Sequence, residues 1–332
     1  MLDYVVRRTL LLIPLLFVIS IISFIIIELP PGDWVTTYVQ TLRMSGVEIA
    51  EEEVSRLTRV YGLDKTLYMR YFIWLGKVLL QGDFGWSFQW NRPVAAILAE
   101  RVPLTMLISF LSIVVSWLIA VPIGIYSAVR QYSFWDYFFT FIGFIGLSVP
   151  GFLLALIVAW TSYRVFGVSI LGLFSSEFIE APWGVAKFLD MMKRIWIPLL
   201  IVGMGGTAGI IRVMRANLLD ELRKQYVVTA RAKGLAEKTL LFKYPVRVAI
   251  NPLVSTVGWV LPAVVSGEAL VAIVLSLDTT GPLLLRAVMS QDMYLAGSIV
   301  MILSTLTVIG TLISDVLLAW LDPRIRYEAP ER

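Results

Sequence analysis

Apolar residues run along this chain in blocks too long for an ordinary core helix. A helix needs ~20 mostly apolar residues to cross a bilayer. Six stretches reach that length, at about 9–29, 103–129, 134–166, 195–217, 249–275 and 294–320. Several contain proline (Pro122, Pro150, Pro198, Pro252, Pro262). Such residues break helices in water, but bundle neighbours satisfy the freed carbonyls in a membrane. The pattern predicts an all-α integral membrane protein built on a six-helix transmembrane bundle. The first run follows Arg7 and Arg8, as a signal peptide would. Its apolar length exceeds the ~7–15 residues of a signal core. Pro30-Pro31-Gly32 follows it rather than a small-x-small cleavage site, so it reads as a retained span.

Composition agrees: 58% of the 332 residues are hydrophobic, 16% are charged, and mean hydropathy is +0.81. A soluble domain carries about 25% charged residues, so the apolar excess must face lipid. With no Cys and no His, disulfides, thiolate chemistry, imidazole bases and the common zinc sites are excluded. No catalytic residue, metal or cofactor is expected. The net charge of +4 would suggest nucleic acid in a soluble protein. Here it fits basic inner loops against membrane lipid, with no nucleic acid partner.

The Lys and Arg positions set the orientation. With the N-terminus inside, the inner side holds Arg7, Arg8, Arg130, Arg212, Arg215, Arg223, Lys224, Arg231, Lys233, Lys238, Lys243, Arg247, Arg324, Arg326 and Arg332. Those fifteen oppose five in the short outer loops: Arg164, Lys187, Lys193, Arg194 and Arg286. Both termini are expected in the cytoplasm. The chain divides into 1–29 (tail and first span), 30–101 (an extracytoplasmic helical loop), 102–320 (the core with spans 2–6) and 321–332 (a cytoplasmic tail).

Two loops carry structure of their own. In 30–101, Ile49, Val54, Leu57 and Val60 recur at roughly helical spacing. Gly62 is placed to end that helix and Asp64 to cap the next. The second helix would carry an apolar stripe of Leu67, Tyr71, Trp74, Leu75, Val78 and Leu79. It reads either as a lid resting on the bundle or as a docking surface. Trp34, Trp86 and Trp90 would stack on a sugar ring or serve as interfacial belt residues. The inner loop 218–248 predicts a helix at about 219–232, a turn at Gly234 and a helix at about 236–244. It is either a rigid elbow projecting inward or a basic loop on anionic lipid.

Motifs along nearly the whole chain bear on that choice: PPGD at 30–33, YGLDKTLYMRYFIWL at 61–75, GDFGWSFQWNRPV at 82–94, SVPGFLLAL at 148–156, YVVTARAKGL at 226–235 and LDPRIR at 321–326. In this order the chain resembles the B-type membrane permease subunit of the dipeptide/oligopeptide/nickel (and oligosaccharide) ABC importer family. The resemblance implies a bundle of the type I ABC importer permease kind. It implies a coupling segment at Thr229, Ala230, Arg231, Ala232, Lys233 and Gly234 that seats in an ATPase subunit. It also implies as partners a homologous second permease, two ATP-binding subunits and an extracytoplasmic solute-binding protein. Val228 stands where the broader class has Glu, and Pro252 lies later than its usual proline, both as in the peptide-type branch. No G-x-x-x-x-G-K-[ST] occurs, so ATP hydrolysis would belong to partners. The expected function is channel-forming import of an oligopeptide or oligosaccharide, with nickel as a further substrate class and an ion-coupled secondary transporter as the alternative.

Glu268 lies inside the fifth run, where an acid costs ~2.5–3.5 kcal/mol on insertion scales. It reads either as a translocation-pathway residue, with Arg286 as its partner, or as a cap on a broken helix near Gly267. Asp136 and Asp315 read as interfacial. Segment 276–292 is too polar and interrupted to span.

Overall fold

The computed structural model describes residues 2–28, 39, 51–60, 64–87, 89–179, 181–254 and 269–321. Apart from one two-residue hairpin, the regular elements among these are helical. In chain order they are α1 (Leu2–Glu28), α2 (Glu51–Val60), α3 (Leu67–Gln81), β1 (Trp86–Ser87), β2 (Arg92–Pro93), α4 (Val94–Val129), α5 (Phe134–Ser148), α6 (Gly151–Phe166), α7 (Val185–Leu222), α8 (Gln225–Ala232), α9 (Glu237–Lys243), α10 (Pro245–Ala249), α11 (Thr280–Met289) and α12 (Met293–Leu321).

Four helices among the described residues are long and apolar enough to cross a membrane: α1, α4, α7 and α12. The span expected as one helix over 134–166 is instead two, α5 and α6, bent by 103°. The break falls at Val149, which is extended (φ −93°, ψ 120°), just before Pro150. Proline's ring disfavours helical backbone in the residue before it, and its missing N–H leaves a carbonyl free. If the pair is one span, the described spans number five. Most of the fifth run, 255–268, lies outside the described residues, although 251–254 and 269–274 are helical. Segment 276–292 forms the ten-residue α11, too short to span, as expected.

Three helices overrun their expected bounds, the first being α1, which begins at Leu2 rather than near 9. α4 begins at Val94 rather than near 103, and α7 covers 185–222 rather than 195–217. At 1.5 Å per residue, the 36 residues of α4 reach ~54 Å, well beyond a ~30 Å hydrocarbon core. Hydropathy detects only the part that matches lipid. The overhangs carry charge, as at Glu100 and Arg101 in α4 or Asp220 and Glu221 in α7.

The chain separates into two compact units. Unit 1 comprises 1–8, 104–282 and 309–332. Its core joins α4, α6 and α7 around Ile108, Ala155, Met191 and Leu275, with a second cluster at Met214, Leu218, Val246 and Leu253. Small residues let helices approach there. A Cβ on Gly203 would stand 2.7 Å from Ser116 Oγ, and one on Gly124 would stand 2.7 Å from Met214 Cβ. The Ser116 hydroxyl donates to Ser112 O and, across helices, to Gly203 O at 3.0 Å. Arg8 lies 3.5 Å from Asp315, so the start of α1 and the end of α12 meet at one end.

Unit 2 comprises 9–103 and 283–308. In it α3 packs Tyr71, Trp74 and Val78 against Phe24 and Ile27 of α1. Leu67 and Leu79, expected on that buried stripe, are exposed. Thr66, not Asp64, occupies the position before α3, and it makes no side-chain cap. Buried Asp292, just before α12, accepts from the Ser87 hydroxyl and the Gln89 amide, which pins the hairpin. Trp90 packs beside Val94, and Trp86 donates to Asn91 Oδ1. Trp34 and Gly62 lie outside the described residues.

Candidate functional site

The elbow of 218–248 lies wholly within the described residues, and its geometry follows from a shift in helical phase. Leu218 is buried and Leu222 half-buried along α7, a spacing that would place 225–226 inward next. The next buried positions are instead Val227 and Ala230. The expected helix 219–232 is therefore interrupted: Arg223 ends α7 and Lys224 is extended (φ −71°, ψ 148°) before α8 begins.

α8 ends in a Schellman turn. The Gly234 N–H donates to Arg231 O at 3.0 Å and the Leu235 N–H to Ala230 O at 3.4 Å. Gly234 sits at φ +76°, a left-handed conformation that glycine adopts without a Cβ penalty. Behind the turn, Val227, Ala230 and Leu240 form a small apolar core, with Leu235 and Tyr244 packed on it. On its other side Leu241 joins the cluster of Leu218, Leu222 and Val246, which ties the elbow to α7 and α10. The Asn217 amide also donates to Ala249 O at 3.3 Å.

Two polar contacts complete the frame. The Arg231 guanidinium donates to both Glu237 oxygens, at 2.5 and 3.2 Å, bridging α8 to the first turn of α9. That hydrogen bond holds the Glu237 carboxyl below the usual carboxylate range and raises Arg231. The pair therefore stays ionised at neutral pH, and its contribution fades only as the pH falls through the lowered Glu237 value. At the other end, the Tyr226 hydroxyl donates to Glu221 near the end of α7. Burial and that acceptor raise the phenol far above its usual range.

Of the six residues expected to couple, Thr229, Arg231, Ala232, Lys233 and Gly234 are exposed on the elbow. Ala230 is not: it faces the elbow's own core at 9% exposure, so its small size serves internal packing rather than an outward contact. Val228, 49% exposed, stands one turn before Ala232 and gives the outer face an apolar centre. Arg223, Lys224, Lys233 and Lys238 are exposed on the same loop and make its surface basic. The sequence did not disclose the Arg231–Glu237 clamp, because the two residues sit on different helices either side of the Gly234 turn, and no single-element periodicity pairs them.

The clamp is separable from the turn. Arg231→Glu is expected to weaken uptake through like-charge repulsion with Glu237, and the swap Arg231→Glu/Glu237→Arg to restore it. Transport assays on the reconstituted variants check this, and a swap as impaired as the single change would leave Arg231 without a positioning role.

Glu268 lies outside the described residues. Ala272, one turn further on, is fully buried in the core, and Arg286 stands in the last turn of α11. Asp136 and Asp315 both lie near helix ends, as interfacial residues would. Asp136 is nevertheless buried, with Arg215 Nη2 3.1 Å away.

Several helices long and apolar enough to span, together with an exposed and internally braced elbow, mark a multi-pass membrane protein. Residues 120–327 match the family described as binding-protein-dependent transport system inner membrane component, and residues 1–109 match its N-terminal counterpart. The chain belongs to this family. It is 34% identical over 325 residues to the oligopeptide transport system permease protein AppB of Bacillus subtilis, covering 98% of this chain and 99% of that protein. The dipeptide transport system permease protein DppB of Alkalihalophilus pseudofirmus is 28% identical over 341 residues, with 98% and 100% covered. The oligopeptide transport system permease protein OppB of Haemophilus influenzae is 26% identical over 328 residues, with the same coverage.

Proposed function

We propose that this chain is the channel-forming permease subunit of an ATP-binding-cassette importer that moves an oligopeptide across the cytoplasmic membrane. The observation that carries the reading is the elbow of 218–248: two short helices locked at a fixed angle, with an exposed outer face and an inner core continuous with α7. A mobile lipid-facing loop needs no such bracing, whereas a handle for an engine on another subunit does. The oligopeptide and dipeptide transport named for the relatives supports a peptide substrate, and the oligosaccharide reading rests on the resemblance alone. The ion-coupled alternative draws no support from the family.

In this reading the chain pairs with a homologous second permease, and ATP hydrolysis belongs to two ATP-binding subunits. An extracytoplasmic solute-binding protein delivers the cargo. Both termini and the elbow face the cytoplasm, and the 30–101 segment faces outward. The Arg8–Asp315 pair supports termini on a common side, and the fifteen-to-five division of Lys and Arg supports the cytoplasm as that side.

The chain has no cysteine, so single reporters are clean. Asp64→Cys is expected to react with an impermeant maleimide on intact cells, and Lys238→Cys only after permeabilisation. A photo-crosslinker on Thr229→Cys is expected to capture an ATP-binding subunit in the assembled complex. Crosslinks to lipid alone, or labelling of both other sites from outside, would overturn the reading.

A further inference from the structure

The fifteen residues of α3 carry only two charges, Arg70 and Lys77, and the helix is apolar on more than its packed side. Away from Tyr71, Trp74 and Val78, the side chains of Tyr68, Phe72, Leu79 and Leu80 are 65%, 61%, 72% and 86% exposed. Water would oppose so much uncovered aromatic and aliphatic surface on one short helix.

Its contacts with α1 give its depth. Between Arg8 and Glu28, α1 has no charged residue. Twenty residues of helix rise ~30 Å, the thickness of a hydrocarbon core, so Glu28 marks one boundary of that core. The Tyr71 hydroxyl lies 2.7 Å from the Ser20 hydroxyl. Ser20 is eight residues below Glu28, or ~12 Å along the helix. The Tyr71 ring also stands edge-on to Phe17 and Phe24, at 6.1 and 5.5 Å. Meanwhile Arg70 reaches back to Glu28 at 2.7 Å. This is the disposition of a basic side chain snorkelling toward the boundary from a helix that lies beneath it. Met301 of α12 packs on the same cluster, eight residues in from the start of that helix.

We propose that α3 is a half-sunk interfacial helix whose Tyr68–Phe72–Leu79 face binds acyl chains of the leaflet at the Glu28 end of α1. In the orientation above this is the outer leaflet. At fifteen residues α3 reaches ~22 Å and cannot span. Both its ends are polar, with Asp64 and Lys65 before it, Gln81 as its last residue and Asp83 after it. Gly82, left-handed at φ +64°, turns the chain away to the hairpin. Its bare face matches the neighbouring side of α1, where Phe17, Val18, Ile22 and Ile25 are likewise uncovered. The 30–101 segment is then anchored in lipid rather than resting on the bundle as a lid in water. The proposal rests on α1 as a span and goes beyond the transport reading.

The test uses nitroxides on single cysteines in the full chain in phosphatidylcholine/phosphatidylglycerol nanodiscs. Collision rates with oxygen, which partitions into lipid, are compared with those of a water-soluble nickel chelate. Helices of this kind sink ~5–10 Å past the headgroups. Phe72→Cys is therefore expected to show an oxygen-to-nickel ratio roughly threefold or more above Asp64→Cys, approaching that of Ile22→Cys on α1. A ratio equal to that at Asp64 would overturn the proposal in favour of a lid in water. Low collision with both reagents at Phe72 would overturn it in favour of a protein-covered face. High nickel access at Ile22 would remove the span beneath the proposal, and the proposal with it.

Discussion

Gly234→Val is expected to insert into the membrane at parental levels but to lose most substrate-stimulated ATP hydrolysis and uptake by the assembled complex. The expectation follows from backbone geometry alone. A Cβ at Gly234 meets nothing within 4 Å, so no neighbour has to move. What fails is φ +76° itself, a left-handed region that costs an L-residue ~1–2 kcal/mol and that β-branched side chains avoid most strongly. The valine variant relieves that cost by unwinding the turn. It thereby loses the bonds to Arg231 O and Ala230 O and draws Leu235 off the elbow core. Gly234→Ala carries the smaller end of the same penalty and keeps open space around its methyl, so most activity should survive. The comparison is made on reconstituted complexes, by uptake and by recovery of ATP-binding subunits in a pull-down. Parental coupling in the valine variant would mean that the elbow transmits nothing and that the family's coupling residues do not carry over to 229–234.

That turn was legible in the sequence because a glycine between two helical patterns, with no room for continued periodicity, has one common use. The long helices were legible for an equally simple reason: lipid demands an unbroken apolar run. Other features were not legible. Pro14 and Pro198 sit inside α1 and α7 without ending them, whereas Pro150 divides α5 from α6 at 103°. Surrounding helices decide whether a freed carbonyl finds a partner, and local sequence does not record them. The helical overhangs of α4 and α7 were hidden because their charged turns resemble loops. The inward turn of Ala230 depended on a one-residue phase slip at 223–224, which hydropathy cannot resolve.

The ion pair that fastens α5 to α7 carries the largest expected stability effect. Asp136 lies in the first turn of α5, three residues after the capping Ser133, whose hydroxyl accepts from its N–H. Its Oδ2 accepts from the Tyr132 N–H at 2.9 Å and from Arg215 at 3.1 Å. The Asp136 side chain is 4% exposed while that of Arg215 is 30% exposed, and this inequality makes the two deletions unequal. Arg215→Met leaves a buried carboxylate without its counter-charge, which costs ~3–5 kcal/mol. Asp136→Asn leaves a guanidinium that reaches water and an amide oxygen that still accepts from Tyr132. It should cost only ~1 kcal/mol, the scale of one exchanged hydrogen bond. The double change Asp136→Asn/Arg215→Met removes both charges and should be more stable than Arg215→Met alone, a non-additivity diagnostic of a direct pair. Thermal unfolding of the three purified variants in detergent measures this ordering. Because Arg215 stands seven residues before the end of α7, its loss also loosens the shaft to which the elbow is fixed. Arg215→Met should therefore lower coupled ATP hydrolysis even below its unfolding temperature, whereas Asp136→Asn should not. An unfolding midpoint for Arg215→Met equal to the parent's would mean that water already solvates Asp136, and that α5 is held to α7 by packing alone.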